Sequence, residues 1–279
     1  MRSSKTLRLG SLSFAATALL AGVAPALADD DVPAVSDAPA GQQAVARGIQ
    51  APAGMLAVRI GLGIGLDKDN AGEPISIIPD LVYGVNDKFQ IGLVHSGPMG
   101  DQTRPGAGLC LTGEDGGCAN VYDNVGLDAM YSLIAQPNLH LSAHGSLYIT
   151  SIDAGTSMIT VGAAAKFHVN EKVAVFADPQ LGFQLADRDI YDDALFLPIE
   201  LQFQVAPPTS ARLLTGIAGS LSNFGDTYIA PLGVGVTQNL TPVIDVGARF
   251  SFDNLLGKQP DGVGRADARS LLAMVNLRL

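Results

Sequence analysis

The stretch ISIIPDLVYGVNDKFQIGLVHS, Ile75–Ser96, decides the fold. Ile75, Ile77, Leu81, Tyr83 and Val85 share one parity, Asn86 and Asp87 interrupt it, and Phe89, Ile91 and Leu93 resume the period of two. Side chains alternate between faces along a β-strand, so a period of two with a polar break predicts two strands joined by a turn. Asn, Asp and Lys tolerate turn geometry, whereas the β-branched and aromatic residues around them favour extended backbone. The stretch reads as a β-hairpin, and similar units recur to the last residue.

From Met55, the apolar residues Leu56, Val58, Ile60, Leu62, Ile64 and Leu66 alternate with Ala57, Arg59, Gly61, Gly63 and Gly65. At the other end, Leu271, Ala273, Val275, Leu277 and Leu279 alternate with Leu272, Met274, Asn276 and Arg278. The apolar face points to a core in a water-soluble sandwich and to lipid in a membrane barrel. Strand pattern does not separate the two, but the connections do. Short turns are expected at Asn86-Asp87, Gln136-Pro137-Asn138, Asn170-Glu171, Ala206–Ser210 and Gln238–Thr241. They alternate with longer, generally Asp-rich connections such as Gly97–Tyr122, Ala186–Asp193 and Asn254–Ala268. Outer-membrane barrels place short turns on one side and longer loops on the other. The expectation is all-β: a single antiparallel up-and-down transmembrane β-barrel of about twelve strands over residues 53–279. Pro79, Pro198 and Pro231 each remove a ladder donor, and local bulges are expected there.

Arg2, Lys5 and Arg8 precede an apolar run, Leu12–Val23, and the ending Ala26-Leu27-Ala28, which together predict a secretory signal peptide over residues 1–28. Residues 29–52 are rich in Ala, Pro, Asp and Gln without a sustained period, and are expected to form a flexible periplasmic segment, a short helix or plug being the alternative. Cys110 and Cys118 flank a short Gly-rich loop, and in an exported protein they predict a disulfide. The net charge of −10 becomes more negative once the three basic signal residues are removed, which argues against nucleic acid as a partner.

The signal peptide, hairpins of the Tyr83-Gly84-Val85-Asn86-Asp87-Lys88-Phe89 type and an amphipathic last strand resemble Gram-negative outer-membrane β-barrel proteins of the porin-like class. The resemblance covers nearly all of the mature chain and implies an outer-membrane location, with membrane lipid and the barrel-assembly machinery as partners and no cofactor. Two departures stand: Leu279 occupies an end where such proteins often carry an aromatic residue, and the chain has no Trp. Tyr83, Phe89, Tyr131, Phe183, Phe203, Tyr228, Phe250 and Phe252 are left to supply the interfacial aromatic belts.

With the apolar parity toward lipid, Arg59, Asp178, Glu200, Arg212, Asp245, Arg249 and Arg278 face the lumen and are the selectivity candidates. Many remaining inward positions, Gly216 and Gly235 among them, are small and leave space. Asp178 and Glu200 are expected to be near neighbours, with Arg59, Arg249 and Arg278 gathered elsewhere; opposed acidic and basic walls would bias ion passage, but the expected lumen is one whose charges compensate. The opposed walls are the alternative. His140 and His168 are expected to meet near the periplasmic mouth, but two imidazoles without a third ligand assign no metal. His144 and Ser146 share the lumen face without a recognisable catalytic partner set, so no catalytic residue is assigned and no enzymatic activity is expected. Asp187, Asp189, Asp192 and Asp193 form the densest loop acid cluster and are expected to be solvated. The expected function is a narrow passive channel for small hydrophilic solutes or ions; the alternative is a non-conducting surface protein acting through acidic loops.

Overall fold

The computed structural model describes residues 44–258 and 266–279. The expected signal peptide, and residues 29–43 of the segment behind it, lie outside the described residues. A single 3-10 turn, Ala44–Ala46, precedes fourteen strands. These are β1 (Leu56–Leu66), β2 (Ala71–Asn86), β3 (Phe89–Val94), β4 (Leu109–Cys110), β5 (Val125–Gln136), β6 (Leu139–Ser151), β7 (Thr156–Asn170), β8 (Val173–Ala177), β9 (Gln180–Gln184), β10 (Ala194–Ala206), β11 (Thr209–Ser220), β12 (Leu232–Thr241), β13 (Ile244–Phe252) and β14 (Arg269–Arg278).

Every wall contact is antiparallel, and β1 pairs with both β2 and β14, which closes the sheet. β8 and β9 occupy one wall position between β7 and β10, and the two-residue β4 adds to β2 inside a loop, so the barrel has twelve staves. Leu56 and Leu279 exchange backbone hydrogen bonds at 2.9 Å, and the seam ends flush. Closure removes the unpaired strand edges that an open sheet would present.

The polarity of the barrel is inverted relative to a soluble sandwich. Ile60, Leu62, Leu81, Tyr83, Ile91, Leu93, Leu127, Leu147, Phe167, Phe203 and Val234 are exposed, while Asp80, Asp128, His144, Lys166, Asp178, Glu200, Asp245 and Arg249 are buried inside. Leaving that much apolar surface outward is stable only against an apolar surrounding, so the wall is lipid-facing. The apolar groups that do pack inside form two small clusters, Ile78–Leu272–Met274 and Val94–Tyr148–Met158. Inter-strand hydrogen bonds therefore carry the architecture. Tyr83, Phe89, Tyr131 and Phe203 lie near the short turns on the wall strands, whereas Tyr228 belongs to the β11–β12 connection and stacks on Phe224 at 5.9 Å.

The short turns fall where expected except the last. β12 runs on to Thr241, and the chain reverses at Pro242-Val243. The expected proline bulges are absent. Pro79 lies past the end of the β2–β3 ladder at Leu81–Leu93, and before β4 joins β2 at Ile77. Pro198 faces the interruption between β8 and β9 at Asp178-Pro179, and Pro231 precedes β12. Each proline sits where no ladder donor is demanded. Register shifts instead stand close to all five short turns, at Gly84/Asn86, Ser132/Ile134, His168/Asn170, Gln204/Ala206 and Asn239/Thr241, where they add local twist to the hairpin ends.

Two stretches leave the wall and enter the barrel. β3 is only six residues long beside a sixteen-residue β2, and the chain turns inward after Val94. The backbone N–H groups of His95 and Ser96 donate to Asp80 Oδ1 at 2.6 and 3.2 Å, which fixes this departure. The loop returns through Cys110–Cys118, a disulfide with Cα atoms 5.9 Å apart. Replacing both cysteines by Ser should loosen the loop by about 2–3 kcal/mol of lost chain constraint. Limited proteolysis of the folded barrel checks this, with cleavage confined to residues 109–124 and faster than in wild type.

The second inward stretch is residues 44–52, the described part of the segment expected to be flexible, and it is anchored inside the barrel as the plug alternative has it. Gln204 Oε1 accepts from the Val45 N–H at 3.3 Å, His168 Nε2 lies 2.8 Å from the Val45 carbonyl oxygen, and Lys166 Nζ donates to the carbonyls of Ala44 and Arg47. Arg47 pairs with Asp245 at 2.5 Å, and the Ala51 N–H donates to Gln90 Oε1 at 2.8 Å. These anchors come from β3, β7, β10 and β13, so the segment crosses the lumen rather than lining one side.

Candidate functional site

Two of the small inward residues, Gly63 and Gly84, seat these stretches, whereas Gly216 and Gly235 lie against neighbouring wall strands. A Cβ at Gly84 would overlap the Pro52 carbonyl oxygen, and one at Gly63 would stand 3.3 Å from the Pro105 Cα. Glycine is required at Gly84 because another backbone passes close, whereas at Gly63 a methyl would be tight against Pro105 and Ser76. Space that the sequence left open is filled by chain. A cavity of about 90 Å³ remains between Gly48–Ala53 and the wall at Ser132, His140 and Ser142. That is well below the roughly 300 Å³ of a small-molecule site.

At mid-barrel, the loop presents Asp101 to the wall. Its Oδ1 pairs with Arg59 on β1 and its Oδ2 with Arg212 on β11. Arg59 also pairs with Asp80 on β2, and Arg212 stands 3.5 Å from Glu200 on β10. Beside them, Arg249 of β13 is 1% exposed and donates through Nη2 to the Thr103 carbonyl at 3.1 Å and Ser270 Oγ at 3.3 Å. Its Nε and Nη1 have no hydrogen-bond partner among the described residues. Gln102 Nε2 donates to the Thr215 carbonyl at 2.6 Å, Arg104 reaches Asp253 at 3.4 Å, and the Gly106 N–H donates to Ser76 Oγ at 2.9 Å. Burial opposes ionisation of Asp101, but Arg59 and Arg212 prevail and hold its carboxyl well below the usual carboxylate range. A depressed folded value means that the stabilisation is present above the unfolded pKa of about 3.9 and is lost only as pH falls through the folded value. Mild acid therefore leaves the clamp in place.

All seven charged candidates, Arg59, Asp178, Glu200, Arg212, Asp245, Arg249 and Arg278, face inward, and their arrangement is the compensated one rather than the alternative of opposed walls. Asp178 and Glu200 turn to different partners, since Asp178 Oδ2 lies 2.8 Å from His144 Nδ1 and Glu200 faces Arg212. Asp245 takes both Arg278 and Arg47. Compensated pairs replace an acidic wall and a basic one. The inward parity was legible in the sequence; Asp101 was not, because it stands in a loop without period. Its signal was an excess of inward arginines on β1, β11 and β13 beside a long Gly/Pro-rich connection.

His144 is bracketed by carboxylates, with Nε2 against Asp128 as well as Nδ1 against Asp178. Ser146 Oγ donates to Asp128 at 2.7 Å, so its proton is directed to a carboxylate and away from the imidazole. The geometry is that of a structural bridge between β5, β6 and the β8–β9 junction. His140 and His168 meet edge to face with ring centroids 5.5 Å apart. Among the described residues, no group of three or more His, Cys, Asp or Glu is placed to hold a metal ion. In the acid-rich loop, Asp193 Oδ2 takes Arg188 at 3.0 Å, and Asp192 accepts from Ser222 and Ser220, bonds that hold its carboxyl below the ordinary value.

No protein-family model matches the sequence, and no curated protein matches it. The fold does have solved counterparts. The NanC porin superimposes with a TM-score of 0.55 at 7% identity over 80% of this chain and 100% of its own. The KdgM porin gives 0.53 at 8% identity over 79% and 98%. An outer membrane channel from Pseudomonas putida F1 gives 0.52 at 14% identity over 82% and 97%. The closed twelve-stave barrel is thus of the kind found in outer-membrane porins.

Proposed function

We propose that the chain is a narrow passive channel of the Gram-negative outer membrane for small hydrophilic solutes or ions, with residues 44–52 and 97–106 closing it at rest. One observation carries this reading. The lumen of a twelve-stave barrel is obstructed by two stretches of chain held through individual polar contacts, whereas a purely structural barrel of eight strands fills its interior with wall side chains. The anchors, Gln204, His168, Asp245, Arg59 and Arg212, are hydrophilic and would face a solute once the stretches withdraw. Outer-membrane lipid and the barrel-assembly machinery are its partners in this reading, and no catalysis is assigned.

The test is single-channel conductance of the mature protein in a planar bilayer. Brief, discrete openings are expected, with ion preference shifted in one direction by Asp178→Ala/Glu200→Ala and in the other by Arg249→Ala. Silence from a folded barrel at all voltages, in wild type and in variants that free both residues 44–52 and residues 97–106, would overturn the channel. It would favour the second reading, a non-conducting surface protein, which the filled lumen supports on its face.

A further inference from the structure

The connection between β9 and β10 carries a feature that the lumen does not explain. Every residue from Asp187 to Asp192, the run Asp-Arg-Asp-Ile-Tyr-Asp, is exposed on the side of the long loops. At its centre, Ile190 is 76% exposed, more than any other large apolar residue described, and Tyr191 is 44% exposed. Membrane lipid does not cover this pair, because charged residues flank it on both sides and charge is excluded from hydrocarbon. The loop holds the pair in place. The N–H groups of Ile190 and Tyr191 both donate to the Asp187 carbonyl at 2.9 Å, and the Leu221 N–H donates to the Asp193 carbonyl at 2.8 Å. Asp192 accepts from Ser220 at 2.8 Å and from Ser222, which joins the loop to the β11–β12 connection. Asp187 has a φ of 51° and is the one non-glycine residue in the left-handed region among the described residues. Two apolar side chains are thus held outward in a fixed pose, and a partner that docks there is spared the cost of ordering them.

The carboxylates around the pair are not equivalent. Asp192 is engaged by serines and Asp193 by Arg188, whereas the side chains of Asp187 and Asp189 take no hydrogen bond or ion pair among the described residues. We propose that Asp187–Asp192 is a docking surface for a cationic amphipathic peptide, whose apolar face covers Ile190 and Tyr191 while its Lys or Arg side chains meet Asp187 and Asp189. The inference does not rest on the channel reading. Charge selects this occupant over the others. An anionic lipid headgroup or an acidic polysaccharide is repelled by the two carboxylates, and a lone metal ion has no use for Ile190 and Tyr191. A second copy of the chain, meeting this surface across a two-fold axis, would bring the same carboxylates face to face. Only a partner that is both apolar and basic satisfies the whole run. The aromatic ring and the isoleucine supply the anchor, and the carboxylates supply attraction that weakens with salt.

The probe is a fluorescent Leu/Lys peptide patterned as an amphipathic helix, with a shuffled peptide of the same composition and a Leu/Glu peptide as comparators. Binding to the mature barrel in phosphatidylcholine nanodiscs is read by anisotropy, empty nanodiscs give the background, and heat-modifiable migration in gels confirms folding. Wild type is expected to bind the Leu/Lys helix well above background and the comparators at background. Ile190→Ser/Tyr191→Ser raises the Kd about tenfold, the loss typical of removing an interface anchor. Asp187→Asn/Asp189→Asn raises it at low salt and flattens its salt dependence. Glu114→Gln/Asp115→Asn, which removes the same charge from an exposed stretch of another loop, leaves it unchanged. Equal losses from the two charge variants, or no loss from Ile190→Ser/Tyr191→Ser, would reduce the binding to general attraction and overturn the docking surface. Wild-type binding at background overturns it as well. Dimerisation of the barrel that Ile190→Ser/Tyr191→Ser abolishes would assign the surface to a second copy and overturn the peptide.

Discussion

A mature chain carrying Val45→Lys conducts at least about tenfold more than wild type, because the substitution expels residues 44–52 from the lumen. Val45 is wholly buried among Lys166, His168 and Gln204, with Arg47 two residues on. A second ammonium placed there is desolvated and repelled by Lys166, at a cost of several kcal/mol. What holds the segment is a handful of hydrogen bonds, each worth about 1 kcal/mol net, and the Arg47–Asp245 pair. The repulsion is of the same size as the whole hold. Arg47→Ala removes one anchor and is expected to give a smaller rise. Single-channel recording of the three chains side by side, each repeated with Asp101→Asn so that residues 97–106 are loosened as well, decides the matter, and conductance that Val45→Lys leaves unchanged in both backgrounds would show that the segment is not the obstruction.

The largest loss of stability is expected from His144→Leu. Asp128 and Asp178 are 8% and 6% exposed, and the imidazole between them presents one ring nitrogen to each. Both contacts are satisfied together when each ring nitrogen carries a proton and donates. Leucine leaves two desolvated carboxylates facing each other across the vacated ring, and removal of one partner from a buried ionic group costs about 3–5 kcal/mol. Ser146 and Gln180, which donate to Asp128 and Asp178 respectively, recover only part of it. Urea unfolding of the refolded barrel should show a marked fall in midpoint. The triple substitution Asp128→Asn/His144→Leu/Asp178→Asn should restore much of the loss, and equal midpoints for single and triple variants would refute charge repulsion as the cause.

The wall was legible because its information is local. A period of two names the strands, parity names the face, and Asn-Asp or Gln-Pro-Asn breaks name the turns. Arg59, Arg212 and Arg249 could be placed inside on those grounds alone. Their partners could not, since Asp101 meets Arg212 across 111 positions and Arg47 meets Asp245 across 198. Neither residues 44–52 nor 97–106 has a repeating pattern, and each is positioned by single side-chain contacts to distant staves. The choice between compensated charges and opposed walls could not be read from parity for the same reason: parity fixes a direction, whereas pairing depends on what else enters the lumen. The disulfide was an intermediate case, since the eight-residue separation of its cysteines made the pairing local.

The seat at Gly84 ties two distant parts of the gene together. Any larger side chain there collides with the Pro52 carbonyl only while residues 44–52 lie in the barrel. The steric constraint on Gly84 is therefore conditional, and a chain in which the segment is lost or rerouted would tolerate a side chain at this position. Among descendants of this gene, a bulky residue at position 84 would mark a barrel that has given up its inner crossing. The same substitution in this chain would be deleterious until a second change released it, so the order of the two mutations is constrained by sterics alone.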